Sequence, residues 1–200
     1  MELNNYYWCF PSAIPERICD DIVAYGKALK EETGVTFGYD VNNMTPNQQK
    51  ELEKKRNSNV VWMDPVWIYR ELHPLVHIAN ADAGWNYHWN WSEACQFTKY
   101  NGSKKQHYDW HTDAGARINE NGKIRKLSMT VALVDGSEYE GGDFEIRMEN
   151  SKDHEIHVIK AAKQKGSVTI FPSFVWHRVK PVTAGTRYSL VNWHQGNPYV

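Results

Sequence analysis

From about residue 84 the chain is interrupted at short intervals by turn-forming pairs: Asn101-Gly102, Asn121-Gly122, Gly141-Gly142, Lys165-Gly166 and Ala184-Gly185. Between them lie runs rich in β-branched and aromatic residues. These read as strands at 85–91, 94–100, 107–113, 126–134, 143–149, 155–160, 167–171, 175–181 and 186–194. Eight or nine strands this short and this regularly spaced specify an all-β sandwich or barrel. Nine Trp, eleven Tyr and six Phe supply bulk for its core and for pocket walls.

The first third reads as helical. Ser12-Ala13-Ile14-Pro15-Glu16 resembles a helix start, with an apolar stripe at Ile18, Ile22, Tyr25 and Leu29 and a stop at Gly34. Thr45-Pro46 opens a short charged helix through Lys55. Asp64-Pro65 reads as an N-cap with Pro at the first helical position, opening a helix toward Ala81 that Pro74 should kink or divide. Segment 42–59 is either a lid over a cleft or a solvated linker. The expectation is one domain over 1–200, with helical support at 1–83 and a double-sheet β core at 84–200.

Composition removes several function classes. The formal net charge is −1, from 23 basic and 24 acidic residues, and no basic stripe is evident. Nucleic acid is therefore not an expected partner. No apolar run approaches the ~20 residues of a membrane span, and the N-terminal residues lack a signal-peptide pattern. Cys9, Cys19 and Cys95 are widely separated and form no disulfide framework, which predicts a reducing, cytoplasmic setting. Oligomeric state is not legible.

The chemistry concentrates in two runs, Gln106-His107-Tyr108-Asp109-Trp110-His111-Thr112-Asp113 and Phe171-Pro172-Ser173-Phe174-Val175-Trp176-His177. Two imidazoles and a carboxylate from separate strands can hold Fe(II) while leaving open positions opposite. Arg187, farther on, could hold a carboxylate of a co-substrate. The first run contains two His-x-Asp pairs. In an extended strand His107, Asp109, His111 and Asp113 would share one face, so spacing cannot choose between them. His73 and His77 have helical i, i+4 spacing but no glutamate of a metalloprotease pattern, and read as structural. His154 and His157 read as solvent-facing on a polar hairpin.

Taken together, these residues resemble the Fe(II)- and 2-oxoglutarate-dependent dioxygenases of the prolyl 4-hydroxylase-like branch. The run 106–113 matches that branch's Gln-x-Tyr-x-x-His-x-Asp. The resemblance extends through Lys126–Leu133, Gly141-Gly142, Gly166–Pro172, His177, Arg187 and Trp193, and upstream to Arg56-Asn57-Ser58. It implies a double-stranded β-helix (jelly roll) core that is mainly β with flanking helices. It implies His111, Asp113 and His177 as ligands and catalytic residues, with His107 and Asp109 as decoys. It further implies 2-oxoglutarate bound by Arg187, with Ser189, Tyr100 and Tyr108 as candidate hydrogen-bonding partners and Trp110, Phe144 and Trp193 as pocket walls. Fe(II), 2-oxoglutarate and O2 would be the cofactor and co-substrates, with ascorbate as a reductant.

The implied reaction is hydroxylation of an unactivated C–H, on a peptidyl prolyl residue. The rival substrates are a small free molecule or a nucleobase. A metal-binding jelly roll without catalysis is a further alternative. One departure stands out. Several relatives carry a Tyr on the strand matching 127–133, whereas this chain offers Ser128, Thr130 and Ala132 there.

Overall fold

The computed structural model describes residues 3–36, 43–115, 118–148 and 155–199. In chain order the elements are β1 (Trp8–Phe10), α1 (Glu16–Ala28), β2 (Glu32–Thr33), α2 (Pro46–Lys55), β3 (Arg56–Asn57), β4 (Asn59–Met63), α3 (Val66–Asp82), β5 (Trp91–Ser92), β6 (Cys95–Asn101), β7 (His107–His111) and β8 (Ile124–Ala132). There follow β9 (Tyr139–Gly141), β10 (Phe144–Arg147), β11 (Ile156–Val158), β12 (Val168–Pro172), β13 (His177–Val179) and β14 (Val182–Gly196).

The strands form two antiparallel sheets. The larger runs β1-β12-β8-β14-β6-β4-β2, with β5 and β9 also on β14; the smaller runs β11-β10-β13-β7-β3. The fold is mainly β with a jelly-roll core and flanking helices, as expected. Period-2 alternation gives the large sheet two different faces. Phe97, Leu127, Met129, Val131, Ile170 and Leu190 form one core with Ile18 and Ile22 of α1 and Ile68, Leu72 and Val76 of α3. Tyr100 and Phe171, on the other face, form a second core with Phe144, Ile146 and Val179 of the small sheet. The site lies on this inner side, so the helices back the large sheet away from the chemistry.

Several local expectations are corrected. α1 buries Ile18, Cys19, Ile22 and Gly26, while Tyr25 and Leu29 are exposed. Gly26 meets the sheet because a Cβ there would come within 2.7 Å of the Phe97 ring. The helix ends at Ala28, so Gly34 is not its stop. Pro65 itself occupies the N-cap of α3 and no side chain caps that end; Pro74 sits inside a continuous helix.

Segment 85–90 is not a strand. Its Trp alternation reflects pinning by side chains: Trp85 Nε1 donates to the Asn5 carbonyl at 2.7 Å. The region read as purely helical also contributes β1, β2, β3 and β4. These strands are two to five residues long, too short to show periodicity, and exist because β12, β7 and β6 template them. His154 and the end of the predicted strand 143–149 lie outside the described residues. His157 contacts Tyr7 edge-on.

α2 forms as expected, with a reciprocal capping box between Thr45 and Gln48. It docks on β7, where the Lys54 carbonyl accepts from His107 Nε2 at 2.9 Å and Lys55 donates to the Trp110 carbonyl.

His73 and His77 belong to an aromatic cluster with Trp89 and His194. His194 is fully buried; Nδ1 meets Ser92 Oγ at 3.0 Å and Nε2 has no partner among the described residues. Burial, aided by His73 and His77, lowers its pKa to about 3. The unfolded imidazole takes a proton near 6.5 and the folded one does not, so stability falls as pH drops between those values. The slope is about 1.4 kcal/mol per pH unit, or roughly 2 kcal/mol from pH 6.5 to 5. H194N should flatten this decline, as read from denaturant unfolding at pH 7 and pH 5.

Candidate metal and carboxylate site

His111 ends β7 and His177 begins β13, and the two are direct antiparallel partners. Their rings lie 4.1 Å apart. Each imidazole is fixed by the carbonyl two residues before it: His111 Nδ1 to Asp109 O at 2.8 Å, and His177 Nδ1 to Val175 O at 3.0 Å. A carbonyl only accepts, so Nδ1 is the donor in each ring and Nε2 is the nitrogen left to meet a metal. Both Nε2 atoms face Asp113, at 3.7 Å from Oδ1 and 3.5 Å from Oδ2. One ligand atom from each residue falls within 4.8 Å of the others.

Asp113 lies just past the end of β7, and its loop is pinned by the Asp113 and Ala114 amides, which both donate to the Ser173 carbonyl at 2.8 Å. Burial would raise the Asp113 carboxyl. The facing His177 and His111, the Arg125 charge and a Ser128 hydrogen bond overcome this and hold it at about 2. Burial and the neighbouring His177 push His111 well below the ordinary histidine range. Two imidazoles and a carboxylate, buried together and with both rings oriented by backbone carbonyls, fit a divalent transition metal with positions to spare.

A β-bulge separates the two His-x-Asp pairs. Along β13, His177 faces His111 and Val179 faces Tyr108, so two steps on one strand match three on the other. The extra residue reverses the alternation. Tyr108 joins His111 on the inner face and stacks on its ring at 3.5 Å and 11°. His107 turns away toward α2. Gln106 is structural, with Oε1 accepting from the Asn101 amide at 2.7 Å and Nε2 donating to Asn59 Oδ1 at 2.8 Å.

A cavity lies over this cluster, and its walls include Tyr100, Tyr108, Phe144, Phe171, Ser189 and Trp193. Trp110 is not among the lining residues and instead stacks against Arg178 at 4.6 Å. Arg187 pairs with Tyr100 across β14 and β6, donates to Ser189 Oγ at 3.2 Å, and is 3% exposed. Gly142, in a left-handed conformation, makes room for it: a Cβ there would lie 3.1 Å from Arg187 Cδ. No carboxylate of the described residues pairs with this buried cation, which therefore suits an anionic ligand. Burial raises both Tyr100 and Tyr108, the latter to about 12, so both phenols remain hydrogen-bond donors.

The profile of the 2OG-Fe(II) oxygenase superfamily matches residues 95–195, a stretch that holds every group just described except those upstream of β6.

The chain belongs to the 2OG-Fe(II) oxygenase superfamily.

Membership implies Fe(II), 2-oxoglutarate and O2. Over 93 residues, 46% of this chain and 38% of the relative, it is 40% identical to a PKHD-type hydroxylase of Azoarcus sp. (strain BH72). The chain spans less than half the length of the curated relatives it matches. Among solved structures it resembles a Pseudomonas putida prolyl-4-hydroxylase, with TM-score 0.67 and 18% identity over 98% of this chain and 95% of that one. It also resembles a Trichoplax adhaerens prolyl hydroxylase in complex with a hypoxia inducible factor peptide fragment, with TM-score 0.67 and 18% identity over 96% and 84%. These two likenesses concern the fold.

Three features of this superfamily member escaped sequence reasoning. Arg56 is buried and stacks on Tyr108 at 4.5 Å, donating to Ser58 Oγ, Val35 O and Gln96 Oε1. Its sequence signal was only the Arg-x-Ser resemblance. Trp62 lies 6.1 Å from Trp193. Glu93 binds Arg125 through both carboxylate oxygens. Neither of the latter two carries a spacing signature.

Replacing His111, Asp113 or His177 by Ala should reduce Mn(II) or Co(II) binding by more than about tenfold. H107A and D109A should keep one metal per chain. Isothermal titration distinguishes the pairs, and loss of metal only in H107A or D109A would reverse the assignment.

Proposed function

We propose that the protein is an Fe(II)- and 2-oxoglutarate-dependent dioxygenase that hydroxylates an unactivated C–H of a peptidyl prolyl residue. The observation that carries the chemistry is one strand face. Three oriented ligand atoms and Ser189 line the cavity, and the buried Arg187 guanidinium, which no carboxylate of the described residues pairs, lies against Ser189. A non-catalytic metal-binding jelly roll gives no use for the second feature.

In this reading His111 and His177 bind Fe(II) through Nε2 and Asp113 through a carboxylate oxygen. When bound with 2-oxoglutarate and O2, the metal supplies oxidation of a C–H bond coupled to decarboxylation of 2-oxoglutarate to succinate and CO2. Arg187 holds the distal carboxylate of 2-oxoglutarate by charge-assisted hydrogen bonds. Ser189 adds a hydroxyl on the same strand face. Tyr100 and Tyr108, protonated throughout the physiological range, donate from the cavity wall. With Ser128, Thr130 and Ala132 on the strand face where several relatives carry a Tyr, Arg187, Ser189 and Tyr100 carry the carboxylate between them. Phe144 and Phe171 exclude water beside His177.

Support for a prolyl substrate comes from likeness to PKHD-type hydroxylases and prolyl hydroxylases, one of which was solved with a peptide. We read residues 1–200 as one domain, because β1 to β4 complete the sheets that carry the site. Three free cysteines fit a reducing cytoplasm. Among the described residues no helix is long and apolar enough to cross a membrane.

R187A should raise the KM for 2-oxoglutarate at least about tenfold, the scale of a lost charge-assisted hydrogen bond, with metal affinity little changed. An unchanged KM would remove Arg187 from this role. Incubation of a peptide library with the protein, Fe(II), 2-oxoglutarate and ascorbate should yield products heavier by one oxygen on prolyl residues, read by tandem mass spectrometry. Succinate formation without prolyl products would move the substrate elsewhere and leave the oxygenase chemistry standing.

A further inference from the structure

Arg125, near the start of β8, does not itself line the cavity but backs a residue that does. Its guanidinium lies 4.0 Å from the centre of the Trp193 ring, and Trp193 lines the cavity. Its charge reaches both Asp113 and Tyr108. A planar fork in this position is a ready receptor for a carboxylate. Here the fork is already taken. Nε donates to Glu93 Oε1 and Nη2 to Glu93 Oε2, each at 2.6 Å.

Glu93 is not a loose surface partner. Gln195 Nε2 donates to its Oε1 at 2.5 Å, and Asn119 Nδ2 holds Gln195 from behind at 2.7 Å. The Glu93 amide donates to the Trp193 carbonyl at 3.0 Å. The Glu93 carbonyl accepts from the Tyr69 hydroxyl at 2.9 Å and from Asn192 Nδ2 at 2.8 Å. An ion pair fixed this firmly keeps its geometry, unlike most exposed pairs.

We propose that Glu93 is a specificity-determining positioning residue that fills the fork of Arg125, keeps the cavity mouth electrically neutral, and so selects an uncharged peptide unit over a free carboxylate beside the oxidised carbon. A carboxylate arriving there meets the Glu93 charge and finds its natural receptor occupied, which is discrimination by an unfavourable contact. A neutral amide meets the Trp193 face instead. The choice of prolyl probes rests on the function proposed above; the role of Glu93 does not.

The test compares N-acetylprolinamide with N-acetylproline, two probes of nearly equal shape that differ in charge. Their binding is measured by calorimetry on protein loaded with Mn(II) and saturating 2-oxoglutarate, so that Arg187 is already engaged. The wild type should bind the amide at least about tenfold more tightly. E93Q, which keeps the shape and removes the charge, should shift the ratio at least about tenfold toward the carboxylate, and E93A should do the same. The E93A/R125A double variant should lack the shift.

An unchanged ratio in E93Q overturns the proposal. So does a wild type that prefers the carboxylate, a shift that survives without Arg125, or an E93Q protein that binds neither probe. Failure of the prolyl reading appears separately, as a library without prolyl products while the probe ratio still moves.

Discussion

The antiparallel pairing of His111 with His177 is the interaction on which the site depends. Cross-strand partners project from the same face at close range, and here the partners are two imidazoles 4.1 Å apart. Each is tied by Nδ1 to a carbonyl two residues earlier, so both offer Nε2 to the same point. Asp113 needs no strand of its own, because the Ser173 carbonyl holds the loop that presents it. A one-residue slip of β7 against β13 would turn His111 out of the cavity, and the bulge between Tyr108 and His111 sets the register.

Three guanidiniums around the cavity show how the fold distributes positive charge. Burying a cation is costly unless it is paired or hydrogen-bonded. Arg125 is neutralised by Glu93. Arg56 is satisfied by three oxygen acceptors and stacked on Tyr108, where it stiffens the layer behind His111. Arg187 has one serine hydroxyl and an aromatic face, and no acid among the described residues. The least satisfied cation is also the one whose strand face leads to the cavity, which makes its position a receptor for an anionic co-substrate.

Much of this was legible in the sequence. Strands β6, β8 and β12 each adjoin a glycine turn, so period 2 located them; Ala184-Gly185, expected as a turn, instead lies inside β14 and pairs with β9. The inner face of β8 was read correctly as Ser128, Thr130 and Ala132, because its outer residues Leu127, Met129 and Val131 form a continuous apolar row. The choice between the two His-x-Asp pairs was not legible from spacing. It depends on a bulge, and a bulge is a property of two paired strands rather than of one run of residues. The strands of the first third were hidden for a similar reason, since β3 and β4 owe their conformation to β7 and β6. The Glu93–Arg125 pair brings together residues 32 positions apart, and only the fold reveals it.

The most direct measurement is anomalous diffraction from crystals grown anaerobically with Mn(II) in place of Fe(II) and with 2-oxoglutarate. The account predicts one ion in contact with Nε2 of His111, Nε2 of His177 and a carboxylate oxygen of Asp113. It also predicts 2-oxoglutarate reaching from that ion to the Arg187 guanidinium. An ion bound at His107 and Asp109, or 2-oxoglutarate with its distal carboxylate turned away from Arg187, would contradict it.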